Sequence, residues 1–117
     1  MGNLYTRLKS LIGVVIVAAA VIFAGGLHAQ DGAEVSISIK GHRFQPAEIH
    51  APANKSLTIK VKNLDAAAIE FESVSLRVEK VVAPGTEGAV HVRALAPGKY
   101  EFFDDFHQET RGILVVQ

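Results

Sequence analysis

No cysteine occurs anywhere in this chain of 117 residues, and its single methionine is Met1. The first absence rules out disulfides, so a folded domain must be held by its packed core, or by a core helped by a bound ion. It also leaves no residue to carry an acyl chain behind an export signal. Charge of one sign is missing too: twelve Lys plus Arg stand against twelve Asp plus Glu. A nucleic-acid partner is therefore not indicated. Beyond residue 29 no apolar periodicity of helix length survives, which removes the helical fold classes.

The amino terminus has the order of an export signal. Arg7 and Lys9 precede an apolar run from Leu11 to Ala24, and Leu27-His28-Ala29 puts a small residue at the cut. This order predicts a signal peptide over residues 1–29, cleaved after Ala29, and one domain over residues 30–117. The run is about 14 residues long, short of the roughly 20 needed to cross a bilayer. With Arg7 and Lys9 removed, ten Lys plus Arg face twelve Asp plus Glu, a net charge of minus two.

The domain reads as strands. Val35, Ile37 and Ile39 alternate with Ser36, Ser38 and Lys40, and Leu57, Ile59 and Val61 alternate with Thr58, Lys60 and Lys62. Such period-two patterning marks strands with one buried face. Turn residues at Lys40-Gly41, Ala51-Pro52, Asn63-Leu64-Asp65, Pro84-Gly85 and Pro97-Gly98 cut the rest into short pieces. Further strands fall over 69–72, 76–82, 89–94, 99–103 and 112–116. About seven strands predict an all-β antiparallel sandwich. Asp65 to Ala68 also fits one helical turn capped by Asp65.

The stretch GKYEFFDDFHQETRG, residues 98 to 112, asks for more than packing. Tyr100 and Phe102 share one strand face, and Asp104 continues their inward phase. A carboxylate in that position is costly unless a positive or hydrogen-bonding group meets it. His107, three residues on, can turn back toward it. The inward phase selects Asp104 over its neighbour Asp105.

At this point the sequence resembles the cupredoxins, whose carboxy-terminal signature is Gly-x-Tyr-x-Phe-x-Cys-x-x-His. Here Gly98, Tyr100, Phe102, Asp104 and His107 occupy those places, with Asp104 where the cysteine belongs. In the family a second histidine follows an Asn-x-Asp turn; Asn63-Leu64-Asp65 is present, and Glu70 falls near that histidine's place. No methionine follows His107. A blue-copper electron carrier needs a thiolate and imidazoles, often with a thioether, so that activity is excluded. The remaining candidates for a metal are Glu70, Asp104 and His107, with Glu72 and His42 as further candidates. Oxygen donors with one or two imidazoles suit Cu(II), Fe(II), Fe(III) or Mn(II) better than Cu(I).

A narrower resemblance spans nearly the whole domain: Phe44-x-Pro46-Ala47-Glu48-Ile49, Asn63-x-Asp65, Glu70-Phe71-Glu72-Ser73, Leu76-x-x-Glu79-Lys80-Val81, Leu95-x-Pro97-Gly98-x-Tyr100 and Phe106-His107. This pattern is similar to the small periplasmic cupredoxin-like proteins of bacterial ferrous iron uptake, the cupredoxin component of Ftr-type systems and the cupredoxin domain of EfeO-type proteins. It implies a Greek-key cupredoxin-like sandwich in the periplasm, holding copper or iron. It also implies Fe(II) oxidation and Fe(III) delivery, with a membrane iron permease and a periplasmic iron-binding protein as partners. A redox-silent Cu(II) or iron carrier, and a docking module without metal chemistry, stay open as alternatives.

Other residues have plainer readings. Glu79 with Arg77 reads as an exposed charge pair worth under about 1 kcal/mol. Phe44, Tyr100, Phe102 and Phe106 read as core, with Phe106 and Phe71 shielding the candidate site.

Overall fold

The computed structural model describes residues 32–117, so the expected signal peptide lies outside the described residues. Nine strands follow in order: β1 (Ala33–Lys40), β2 (Arg43–Gln45), β3 (Glu48–Ala51), β4 (Leu57–Asn63), β5 (Ile69–Ser73), β6 (Val78–Val82), β7 (Glu87–Val92), β8 (Gly98–Asp104) and β9 (His107–Val116). They form a four-stranded sheet, ordered β2-β1-β4-β7, and a five-stranded sheet, ordered β3-β9-β8-β5-β6. The all-β sandwich expected from the alternation is the fold.

Two details differ from that expectation. The two additional strands, β2 and β3, are three and four residues long, too short to show an alternation. The sheets are also mixed, because β1 pairs parallel with β4 and β3 pairs parallel with β9. Parallel neighbours require a crossover between them. Here the chain leaves β1 through β2, crosses to the other sheet as β3, and returns as β4.

The inward faces of both sheets meet in one core. Ile37, Ile39, Ile59, Val61 and Val90 come from the smaller sheet, and Ile49, Ile69, Phe71, Phe102 and Leu114 from the larger. Each such side chain contributes about 1.5–3 kcal/mol on leaving water. Phe44, Phe71 and Phe102 pack as a trio with ring centroids 5.0 to 6.2 Å apart. Phe106 does not join them, being half exposed. It sits in the two-residue turn between Asp104 and His107, whose paired ends leave its side chain outside the sandwich.

The stretch after β4 forms no helical turn. Asn63 is fully buried and ties the loop together: its Nδ2 donates to the carbonyls of Ala67 and Val82, and its Oδ1 accepts from the Asp65 amide. The Asp65 carboxylate is thereby turned away from its own chain. It accepts from the amides of Gly41 and His42 instead of capping a helix.

Candidate metal centre

Asp104 ends β8 with its side chain completely buried. Its Oδ1 accepts from the backbone amides of Glu70, at 3.0 Å, and Phe106, at 3.1 Å, while Oδ2 lies 3.3 Å from Nδ1 of His107. Both oxygens are therefore satisfied inside the protein, which is what makes a buried carboxylate tolerable. His107 opens β9 with its side chain about one-third exposed, so one ring nitrogen faces Asp104 while the ring still meets solvent.

His42 reaches the same place from the other sheet. Its ring lies 4.1 Å from that of His107, centroid to centroid, at 37°. Lys40 pairs with Arg43, so Gly41 and His42 form a two-residue hairpin turn, and both have positive φ, 59° and 57°. Positive φ at both positions belongs to the type I′ turn, where Asn-Gly is the usual sequence. A residue with a Cβ in the left-handed region costs about 1–2 kcal/mol. His42 is held there at both ends: its amide donates to Asp65 at 3.1 Å, and its carbonyl accepts from the Thr110 hydroxyl at 2.7 Å. Thr110 lies in the stretch 108–110, which has no partner on β8 because the β8–β9 register shifts at Asp104. Irregularities of this kind re-aim a side chain next to a site.

Glu70 and Glu72 stand elsewhere. In β5 the residues Ile69, Phe71 and Ser73 are buried, and Glu70 and Glu72 alternate with them on the outer face of the sheet. Glu70 shares only its backbone with the histidine group, through the bond to Asp104. Glu72 pairs across to Glu79 on β6, and the three glutamates each offer a carboxylate oxygen within 4.8 Å of the others. No ion pair joins Glu79 to Arg77 among the described residues, so the exposed pair expected from sequence is replaced by a cluster of like charge. The five sequence-selected residues thus form two groups: His42, Asp104 and His107 at the end of the sandwich, and Glu70 and Glu72 with Glu79 on its face.

Sequence reasoning does not select Asp65 or Thr110 as site residues, and it reads Glu79 as the partner of Arg77 rather than as part of a carboxylate group. Asp65 was visible as part of a turn, but its partners lie 24 and 23 residues upstream. Thr110 reaches across 68 residues. Only the β5–β6 register reveals Glu79. His50 and His91 stay apart from the site, the first on Glu48 and the second on Thr58.

The carboxylates respond oppositely to pH. Asp65 lies below its ordinary 3.8, because it accepts from the His42 and Gly41 amides and faces the two imidazoles. Glu70 and Glu72 lie above 4.5, first through partial burial; repulsion from Glu79, Asp105 and Asp104 adds to this at Glu70, and from Asp105, Glu70 and Glu79 at Glu72. Raised groups favour the fold when protonated: their contribution is full below 4.5 and is lost as pH rises through the raised values. The Asp65 contribution is full above 3.8 and is lost as pH falls through its lowered value. Glu72→Gln is therefore expected to raise the urea midpoint above the parent's at pH 7 and to match it well below pH 4.5. Asp65→Asn is expected to lower it at pH 7, with the gap closing on acidification. Offsets that do not change with pH would show that these charges are not the cause.

Residues 13–116 match the Cupredoxin-like domain family. The chain belongs to that family. An uncharacterised protein of Rickettsia prowazekii, RP394, is 40% identical over 84 residues, covering 71% of this chain and 67% of that protein. Among solved structures, the metal-binding domain of the Streptococcus pneumoniae Cu(I)-exporting P-type ATPase CopA is 14% identical. The match covers 75% of this chain and 89% of that one, with a TM-score of 0.65. Auracyanin A of Chloroflexus aurantiacus is 17% identical, covering 74% and 99%, with a TM-score of 0.62. These structural likenesses concern the fold alone. With no cysteine the chain cannot form a thiolate-bound blue centre, and the imidazole and carboxylate groups gathered here are of the chemical kind that suits Cu(II).

Proposed function

We propose that this cupredoxin-like protein is a periplasmic metal-binding component of ferrous iron uptake, assisting Fe(II) oxidation and delivering Fe(III) to a membrane iron permease. A periplasmic iron-binding protein would supply the ferrous ion. Strand β5 carries the reading, because it joins the two donor groups: the Glu70 amide holds Asp104 behind His107, while the Glu70 carboxylate stands with Glu72 and Glu79. Oxygen donors favour hard cations, and carboxylates stabilise Fe(III) over Fe(II), so the outer face suits iron as cargo. Imidazole suits copper, and two proteins of this fold are described as holding Cu(I) and as a blue copper protein. A bound Cu(II) ion would supply one-electron acceptance from Fe(II), with dioxygen as the terminal electron acceptor. The imidazoles would hold the copper, and the glutamates would hold the iron and lower its potential.

Oxygen uptake in the presence of Fe(II), with and without Cu(II), tests the reading. The expected result is copper-dependent iron oxidation, reduced about tenfold by Glu70→Gln with Glu72→Gln, in the range that loss of metal-site groups costs. Iron or copper binding without turnover would make the protein a carrier instead. Absence of binding to either ion would leave only a docking role.

A further inference from the structure

We propose that the copper donors are the paired imidazoles of His42 and His107, and that Asp104 acts behind them as a positioning residue rather than as a ligand. This rests on the metal-binding reading above and goes further by dividing the roles within the histidine group.

Asp104 has no free face to offer an ion. It is completely buried, two backbone amides occupy Oδ1, and Oδ2 faces His107 Nδ1 at 3.3 Å. A proton on Nδ1 directed at that carboxylate leaves Nε2 of His107 bare, the tautomer a metal ligand requires. A carboxylate behind the imidazole is the usual way such a ligand is oriented. His42 then supplies a second nitrogen. Its ring lies 4.1 Å from that of His107, and its backbone is fixed by Asp65 on one side and Thr110 on the other.

The backbone of His42 gives a reason to look beyond the turn for the role of its imidazole. At φ 57° in a two-residue hairpin, glycine would be the relaxed occupant. Strain kept at a position where an easier residue exists is a reason to look for a role in the side chain. Packing does not supply that role, since His42 is exposed.

The test uses the purified protein with Cu(II) alone as probe. Nitrogen superhyperfine structure in the copper electron paramagnetic resonance spectrum is expected to report two equatorial imidazoles in the parent and one in His42→Gly. The urea midpoint of His42→Gly is expected to rise, because the strain is relieved, so loss of the nitrogen cannot be ascribed to unfolding. In metal-free Asp104→Asn, long-range proton–nitrogen correlations are expected to show His107 moving from the Nδ1–H to the Nε2–H tautomer. Copper affinity in that variant should fall 10- to 100-fold.

Two imidazole nitrogens retained in His42→Gly would overturn the pairing. So would copper held through oxygen and lost in Glu70→Gln with Glu72→Gln, although the metal-binding reading would then survive. An unchanged His107 tautomer in Asp104→Asn would overturn the positioning role. A parent protein that binds no copper would overturn this inference and the copper half of the function above.

Discussion

Asp104→Ala is expected to lose about 3–5 kcal/mol of folding stability, because two backbone amides lose their acceptor at about 1–3 kcal/mol each. The carboxylate has no exposure to water and meets three donors within 3.3 Å. Its removal leaves the amides of Glu70 and Phe106 without their acceptor. A buried donor left unpaired costs about 1–3 kcal/mol. In a domain of this size each kcal/mol lowers the melting temperature by about 4–8 °C, so the variant should melt about 15 °C or more below the parent. Asp104→Asn keeps one carbonyl oxygen for both amides and should lose about 1 kcal/mol. Urea and thermal unfolding of the two variants check the difference. An alanine variant within about 1 kcal/mol of the parent would mean that these bonds do not hold the β8–β9 turn against β5.

That Asp104 faces inward was legible from sequence, since the phase set by Tyr100 and Phe102 runs on without interruption to the end of β8. The same logic recovers the alternation of β1, β4 and β5, where a strand is long enough to show which face is apolar. It fails for β2 and β3, which contain three and four residues and have no period to read. It also fails for the side on which Glu70 works. Alternation says that Glu70 and Glu72 share a face, but only the register with β6 shows that Glu79 shares it too.

His42 illustrates a different limit. The motif Gly-His in a turn does not announce a left-handed histidine, because type I′ turns usually carry Asn-Gly in the opposite sense. Its conformation is set by Asp65 and Thr110, which approach from β4's far end and from the irregular start of β9. Spacing in the sequence brought His107 and Asp104 into view because they are three residues apart. His42 is fixed beside them through contacts to Asp65 and Thr110 that span 23 and 68 residues.

Gly112→Ala is expected to be equally damaging, for reasons of space alone. Gly112 lies on β9 in the inward phase, between the buried Thr110 and Leu114. A Cβ there would overlap Cε2 and Cζ of Phe102 and come within 2.9 Å of the Ala47 carbonyl oxygen. Neither neighbour can yield easily. The Phe102 ring is fully buried, with Phe44 at 5.0 Å and Phe71 at 5.1 Å, and the Ala47 carbonyl accepts the Ile113 amide at 2.8 Å. Overpacking of this kind costs about 1–3 kcal/mol and can exceed that where backbone is involved, so a loss of about 3 kcal/mol or more is expected. Phe102→Leu destabilises in its own right by leaving a void in the trio. The double variant should nevertheless be more stable than the sum of the two losses allows, because the smaller side chain makes room for the methyl group. Additive losses in that cycle would place the strain on the Ala47 carbonyl and the β3–β9 pairing instead of on the aromatic core.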